Sequence, residues 1–372
     1  MPGSVRIGKI GGVDVEIHVT FLLTVLWAAW QGAQVFGGLA GAIYGTAMIV
    51  LVFLCVLLHE LGHGMQARAV GVGVQRITLL PIGGLTRLES THATPRQELL
   101  ITLAGPAVNL GLAAILGGLM LLLGQPVRGW RSLALGSGLG FPGPESMLPF
   151  LVGANLSLFA FNMLPAFPMD GGRVVRSLLA LLVGYETATR LAAVLGRLMA
   201  FVLVGVGLLG LRSFGMAPNP LLLVVGLIVY FGASQEAAHA RHRLALSSIA
   251  VGQVTQPNGH ALRPSDPITP SLTNGLFAQH AVLPVVVDSR VIGLLTPQEL
   301  RASTSLPDPT YVAHVMRTDY PVLHSSETLW TALDVLRTHE LAAVPVVRNG
   351  ALHGMLTLDD IRRASHRLRR HR

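Results

Sequence analysis

The apolar positions of this chain fall into runs too long for the interior of a soluble domain. Predominantly apolar stretches cover residues 19–35, 43–63, 99–123, 147–164, 191–211 and 221–231. About 20 apolar residues in a helix cross a bilayer, so these read as about six transmembrane helices. The fourth run breaks at Pro165 and Pro168, and a short apolar piece at 174–183 continues it. Between the second and third runs the pattern changes period. Residues 74–89 alternate polar and apolar, which predicts a small membrane-associated β-hairpin turning at Gly83-Gly84. Residues 1–17 are polar and strand-like, and the first apolar run lacks a cleavage site, so it is expected to stay as an anchor.

Beyond residue 240 the pattern is that of a soluble domain, and it repeats. Pro284, Val285, Val286, Gly293, Leu295, Thr296, Glu299 and Arg301 recur 61 positions later as Pro345, Val346, Val347, Gly354, Leu356, Thr357, Asp360 and Arg362. Each copy predicts strand, turn, strand and helix, an α/β unit that buries its sheet face against its twin. The expected organisation is a membrane domain over 1–235, a linker over 236–247, repeat units over 248–305 and 306–366, and a basic tail over 367–372.

Composition fits this division. Half of the 372 residues are apolar and 12% are charged, against about 25% in soluble domains. The net charge is +8, and Lys9 is the single lysine. The basic residues flank apolar spans, which points to the lipid bilayer as the anionic partner and gives no expectation of nucleic acid. Their distribution orients the chain. Arg6, Lys9, Arg68, Arg76, Arg87, Arg96, Arg173, Arg176, Arg190, Arg241 and Arg243 fall on one side, and only Arg128, Arg131 and Arg212 on the other. A multi-pass protein of the cell membrane results, with its N-terminus and C-terminal domain cytoplasmic. One cysteine, Cys55, excludes internal disulfides and cysteine-rich zinc sites.

The chemistry concentrates at His59-Glu60-Leu61-Gly62-His63, at the end of an uncharged span. Residues four apart share a helix face, so both imidazoles can reach one Zn²⁺, and Glu60 can act as general base. Ionisable groups at membrane depth are costly without a metal or a wet cavity, about 2.5–3.5 kcal/mol each or more. A catalytic zinc needs a third protein ligand. Cys55 lies too far from His63 along the helix axis to share an ion with it. Asp170 follows a proline-broken segment and is either that ligand or the cap of an ordinary loop.

Three motifs in order, the His59–His63 pentad, Ala-Gly-Pro-Ala-Val-Asn at 104–109 and Asn-x-x-Pro-x-x-Pro-x-Asp-Gly-Gly-Arg at 162–173, resemble the site-2 protease (M50) family of intramembrane zinc metalloproteases. The resemblance implies one zinc ion per chain on His59, His63 and Asp170, with Glu60 as catalytic base. It implies substrate or oxyanion contacts for Asn109 and Asn162, with an interhelical hydrogen bond as the alternative for each. The hairpin around Gly83 and Gly84 would hold an unwound substrate strand. The implied substrate is a single-span membrane protein such as an anti-sigma or pro-sigma factor.

The repeat resembles a CBS-domain pair. Such pairs bind ATP or AMP, which would place Thr296, Glu299, Thr357 and Asp360 at nucleotide sites; a structural or homodimer-forming module is the alternative. Two rivals to the protease are a transporter or channel with a CBS tail and a non-catalytic relative that binds membrane proteins. The first would show internal symmetry among its helices, and the second has no need of Glu60.

Overall fold

The computed structural model describes residues 3–81, 83–88, 94–124, 143, 146–210, 218–255, 257, 260–268, 282–303 and 310–370. Two compact units divide at Ala240 and Arg241.

The first unit opens with β1 (Ser4–Ile10) and β2 (Val13–His18), joined through Gly11 and Gly12 at φ of 56° and 82°. Such left-handed pairs match the twist of a two-residue hairpin, and glycine adopts them at no steric cost. Next come α1 (Phe21–Phe36) and α2 (Gly38–Ala69), then β3 (Val74–Leu80) and β4 (Gly83–Leu88). The expected hairpin is therefore half of a four-stranded sheet of order β1-β2-β3-β4, in which β2 and β3 run parallel. Its turn is also displaced from the expected position. Leu80 pairs with Gly83, so both glycines lie in β4 and not in the turn. Val13, Val74 and Ile77 pack the sheet against Ala67 of α2.

The helical part continues with α3 (Pro95–Leu122), α4 (Met147–Asn162), α5 (Asp170–Val183), α6 (Tyr185–Leu209) and α7 (Pro220–Ser247). Among the described residues, four helices, α2, α3, α6 and α7, are long and apolar enough to cross a membrane. The apolar α1 and α4 have 16 residues each, about 24 Å against a hydrocarbon core of about 30 Å. Leu122 and Leu182 stand more than 80% exposed, as leucines facing lipid would. These features make the chain a membrane protein. Residues 236–247, read from sequence as a linker, are the last turns of α7.

The second unit bears out the repeat in detail. The strands β5 (Leu283–Val287) and β6 (Arg290–Leu295) form one hairpin, and β8 (Ala343–Arg348) and β9 (Ala351–Thr357) form the other. The turns match at an offset of 61, with Asp288 and Ser289 at φ of 49° and 65° and Asn349 and Gly350 at 53° and 81°. The register shifts match too, at Val285/Val286 and Val346/Val347. So do the parallel neighbours. Leu262 bridges Val285, and β7 (Leu323–His324) pairs Leu323 with Val346. Helices α8 (Pro297–Ser303) and α11 (Leu358–Arg370) close the copies, and α9 (Val312–Val315) and α10 (Leu329–Thr338) lie between them.

Candidate metal centre

The pentad lies within α2, which runs on past it to Ala69. Helical geometry brings His59 and His63 together with ring centroids 4.7 Å apart and planes at 88°. Asp170 reaches them from the first turn of α5. Its Oδ2 stands 3.2 Å from His59 Nε2 and 3.1 Å from His63 Nε2, and the two Nε2 atoms are 3.1 Å apart. An ion about 2 Å from each of three such atoms completes three corners of a tetrahedron. All three residues are buried.

The protonation pattern supports a cation here. His63 Nδ1 lies 2.7 Å from the Ile101 carbonyl, which can only accept, so Nδ1 carries the proton. His59 Nδ1 lies 2.9 Å from Asn109 Oδ1 and donates likewise. In neutral imidazoles both Nε2 atoms then present lone pairs, converging with a carboxylate oxygen. Three acceptors pointed at one place call for a positive charge, and zinc suits a two-histidine, one-carboxylate set.

Glu60 stays outside the triangle and turns towards β4. Its Oε2 accepts a 2.6 Å hydrogen bond from Thr86 Oγ1. Gly84 abuts the Glu60 side chain so closely that a Cβ there would collide with it. Gly105 does the same on α3, where a Cβ would strike both imidazoles. Small residues at these two places let a strand and a helix approach the pentad. A cavity of about 160 Å³ opens over the site, lined by His59, Glu60, His63, Gly84, Thr86, Asn162 and Asp170 among others.

The structure brings together His59, Glu60, His63, Gly84, Asn162 and Asp170 from the sequence-based set. Gly83 begins β4 and does not line the cavity. Asn109 is fully buried behind His59, and its Oδ1 accepts from His59 Nδ1, the interhelical hydrogen bond that stood as the alternative to a substrate contact. Asn162 does line the cavity, while its Nδ2 donates 2.9 Å to the Leu158 carbonyl. Cys55 is buried and accepts from Asn155 Nδ2 at 3.3 Å. Sequence reasoning missed Thr86 and the Ile101 carbonyl. Thr86 was within reach, because it lies two residues from Gly84 on the same strand face.

The four nucleotide-site residues lie in the second unit and form local pairs. Thr357 N and Oγ1 donate to Asp360 Oδ2 at 2.9 and 2.6 Å, and Asp360 N donates back to Thr357 Oγ1 at 3.2 Å. Thr296 N and Oγ1 donate to Glu299 Oε2 in the first copy. These are capping-box bonds at the starts of α11 and α8. Burial raises the Asp360 pKa, but the Thr357 hydroxyl and amide and Arg363 outweigh it and hold the carboxyl below its usual value.

Comparison with known proteins agrees with this chemistry. Residues 47–206 match the model of peptidase family M50, and residues 312–367 match that of the CBS domain. Zinc metalloprotease MJ0392 of Methanocaldococcus jannaschii is 31% identical over 97% of this chain and 96% of its own length. Rip3 of Mycobacterium tuberculosis is 28% identical over 98% of this chain and 93% of its own. The solved site-2 protease from Methanocaldococcus jannaschii is 34% identical, covering 63% of this chain and 95% of that one, with a TM-score of 0.42. A two-histidine, one-carboxylate centre with a glutamate beside it, and full-length identity to a zinc metalloprotease, together place the chain in the M50 (site-2 protease) family of zinc metalloproteases, with CBS domains at its C-terminal end.

Proposed function

We propose that this metalloprotease cleaves single-span membrane-tethered proteins, such as an anti-sigma or pro-sigma factor, within or beside their membrane segments. The carrying observation is the placement of His59, Glu60 and His63 within a helix long and apolar enough to span a bilayer, facing Asp170 across a cavity. His59, His63 and Asp170 would hold one zinc ion. Zinc, when bound, supplies Lewis-acid polarisation of the scissile carbonyl and the attacking water.

The chain's own groups do the rest. Glu60 takes the proton of the attacking water as the new C–O bond forms. It passes that proton to the amide nitrogen as the C–N bond breaks, leaving a carboxyl and an amine. Thr86 holds Glu60 through Oε2 and leaves Oε1 for this work. β4 is an edge of its sheet, so its outer backbone groups are available to a substrate strand unwound from its helix. Asn109 and the Ile101 carbonyl fix both imidazoles in the tautomer that leaves Nε2 for the metal.

The reading extends to a six-crossing protein of the cell membrane with both ends cytoplasmic, and to a C-terminal CBS pair that binds ATP or AMP and adjusts cleavage. Reporter fusions after Arg96 and Arg243 should register cytoplasm, and one near Gly136 the outside. Purified protein incubated with candidate single-span substrates should cut them, and a zinc chelator should stop the reaction. Metal-free cleavage at the same rate would overturn the mechanism. The alternative for the CBS pair is a docking or homodimer-forming module, in which Thr357–Asp360 and Thr296–Glu299 serve only as helix caps. Calorimetry with adenine nucleotides separates the two, since only the first predicts binding heat.

A further inference from the structure

Arg176 sits two turns into α5, and only 4% of it is exposed. Its guanidinium forms ion pairs with Glu98 of α3 and Glu236 of α7. It also lies 5.1 Å from the ring centroids of both Phe167 and Tyr185. A planar fork suits this arrangement, because it can meet two carboxylates at its edges and aromatic rings at its faces. A lysine ammonium offers neither.

Two of these contacts, Phe167 and Glu98, lead towards the metal site. Phe167 is buried in the turn that immediately precedes Asp170. That turn is tightly packed, since a Cβ on Gly171 or Gly172 would collide with the backbone of residues 163–167. Glu98 lies three residues before Ile101 on α3, hence on the same helix face. Ile101 in turn holds His63 through its carbonyl. One guanidinium therefore contacts both the element that presents Asp170 and the helix that orients His63.

Stability alone is a weak explanation for such a cluster. Buried ion pairs are often no more stabilising than apolar residues of the same volume.

We infer that Arg176 is a positioning residue of the metal site, holding Asp170 in register with His59 and His63 by tying α5 to α3 and α7. The inference rests on the metal reading above. Groups bonded directly to metal ligands contribute about tenfold to a hundredfold in affinity, and Arg176, which acts one layer further out, should contribute less.

The test uses the full chain in detergent, with zinc affinity measured by chelator competition and ligand geometry by the absorption spectrum of the cobalt-substituted protein. Arg176→Lys keeps the charge and removes the fork. Its zinc dissociation constant should rise by up to about tenfold, less than for a direct ligand partner, with an altered cobalt spectrum. Glu236→Ala leaves the Arg176–Glu98 pair in place at a partly exposed position, and should shift both readouts the same way by a smaller amount. It carries the test alone if Arg176→Lys does not fold. Wild-type affinity and spectrum in the folded variants would overturn the inference. A wild-type chain that takes up neither zinc nor cobalt would overturn the metal reading instead.

Discussion

Asp170 and Asp360 both lie in the first turn of a helix, the former as its first residue and the latter as its third, yet they take different partners. Asp360 bonds its own cap residue, Thr357, three positions away. Asp170 turns from its helix to two imidazoles, one of them 107 positions distant in sequence. The same side chain at the same kind of helix start serves local folding in one unit and a long-range centre in the other. Convergence from several elements, with lone pairs left facing one another, marks a site. Reciprocal bonding within four residues marks a cap, whatever else binds there.

The comparison is broken most severely at the pentad. Glu60→Gln should lower cleavage by about 10²–10⁴-fold while zinc stays bound, because it removes the base and no ligand. His59→Ala, His63→Ala or Asp170→Ala should lose zinc and activity together. Metal analysis beside a cleavage assay separates the two classes, and wild-type cleavage by the glutamine variant would dismiss Glu60 as the base.

A smaller effect is expected one layer out. Asn109→Ala should weaken zinc binding and activity by about tenfold to a hundredfold, since His59 loses the group that fixes its ring. If Asn109 instead met substrate, the variant would raise KM with zinc affinity unchanged.

The mildest perturbation belongs to the second unit. Thr357→Ala should reduce its stability by about 1 kcal/mol through the lost cap, read from thermal unfolding of residues 245–372. Asp360 has a depressed pKa in the folded state. It therefore stabilises above the ordinary carboxylate pKa of about 3.9, and that contribution disappears as pH falls through the lower folded value. Asp360→Asn should flatten this acid limb. In the folded fragment, Asp360→Ala should weaken ATP or AMP binding at least as much as Glu299→Ala. Unchanged binding would leave Asp360 with the cap alone.

The apolar runs and the repeat were legible because each depends on a local pattern. Length and hydropathy mark a spanning helix, and an offset of 61 marks a duplication down to its turns. His59 and His63 were legible through their helical spacing, whereas Asp170 stayed open between ligand and loop cap until the resemblance to the M50 family assigned it. Gly83-Gly84 misled for a physical reason. A glycine pair resembles a turn, but Gly84 is needed small beside Glu60 within a strand. Asn109 and Arg176 show the other limit. A buried polar residue is visible in sequence as an anomaly, but its partner lies on another helix, and no local pattern names it.

The long chain separation between His63 and Asp170 has a consequence during synthesis. Both histidines leave the ribosome almost together, but their carboxylate follows 107 residues later, about 5–20 s at ordinary elongation rates. Through that interval α2 and α3 can pack while the centre lacks a third ligand. A zinc metalloprotease with this chain order has an incomplete centre until α5 docks and brings Asp170 to the two histidines.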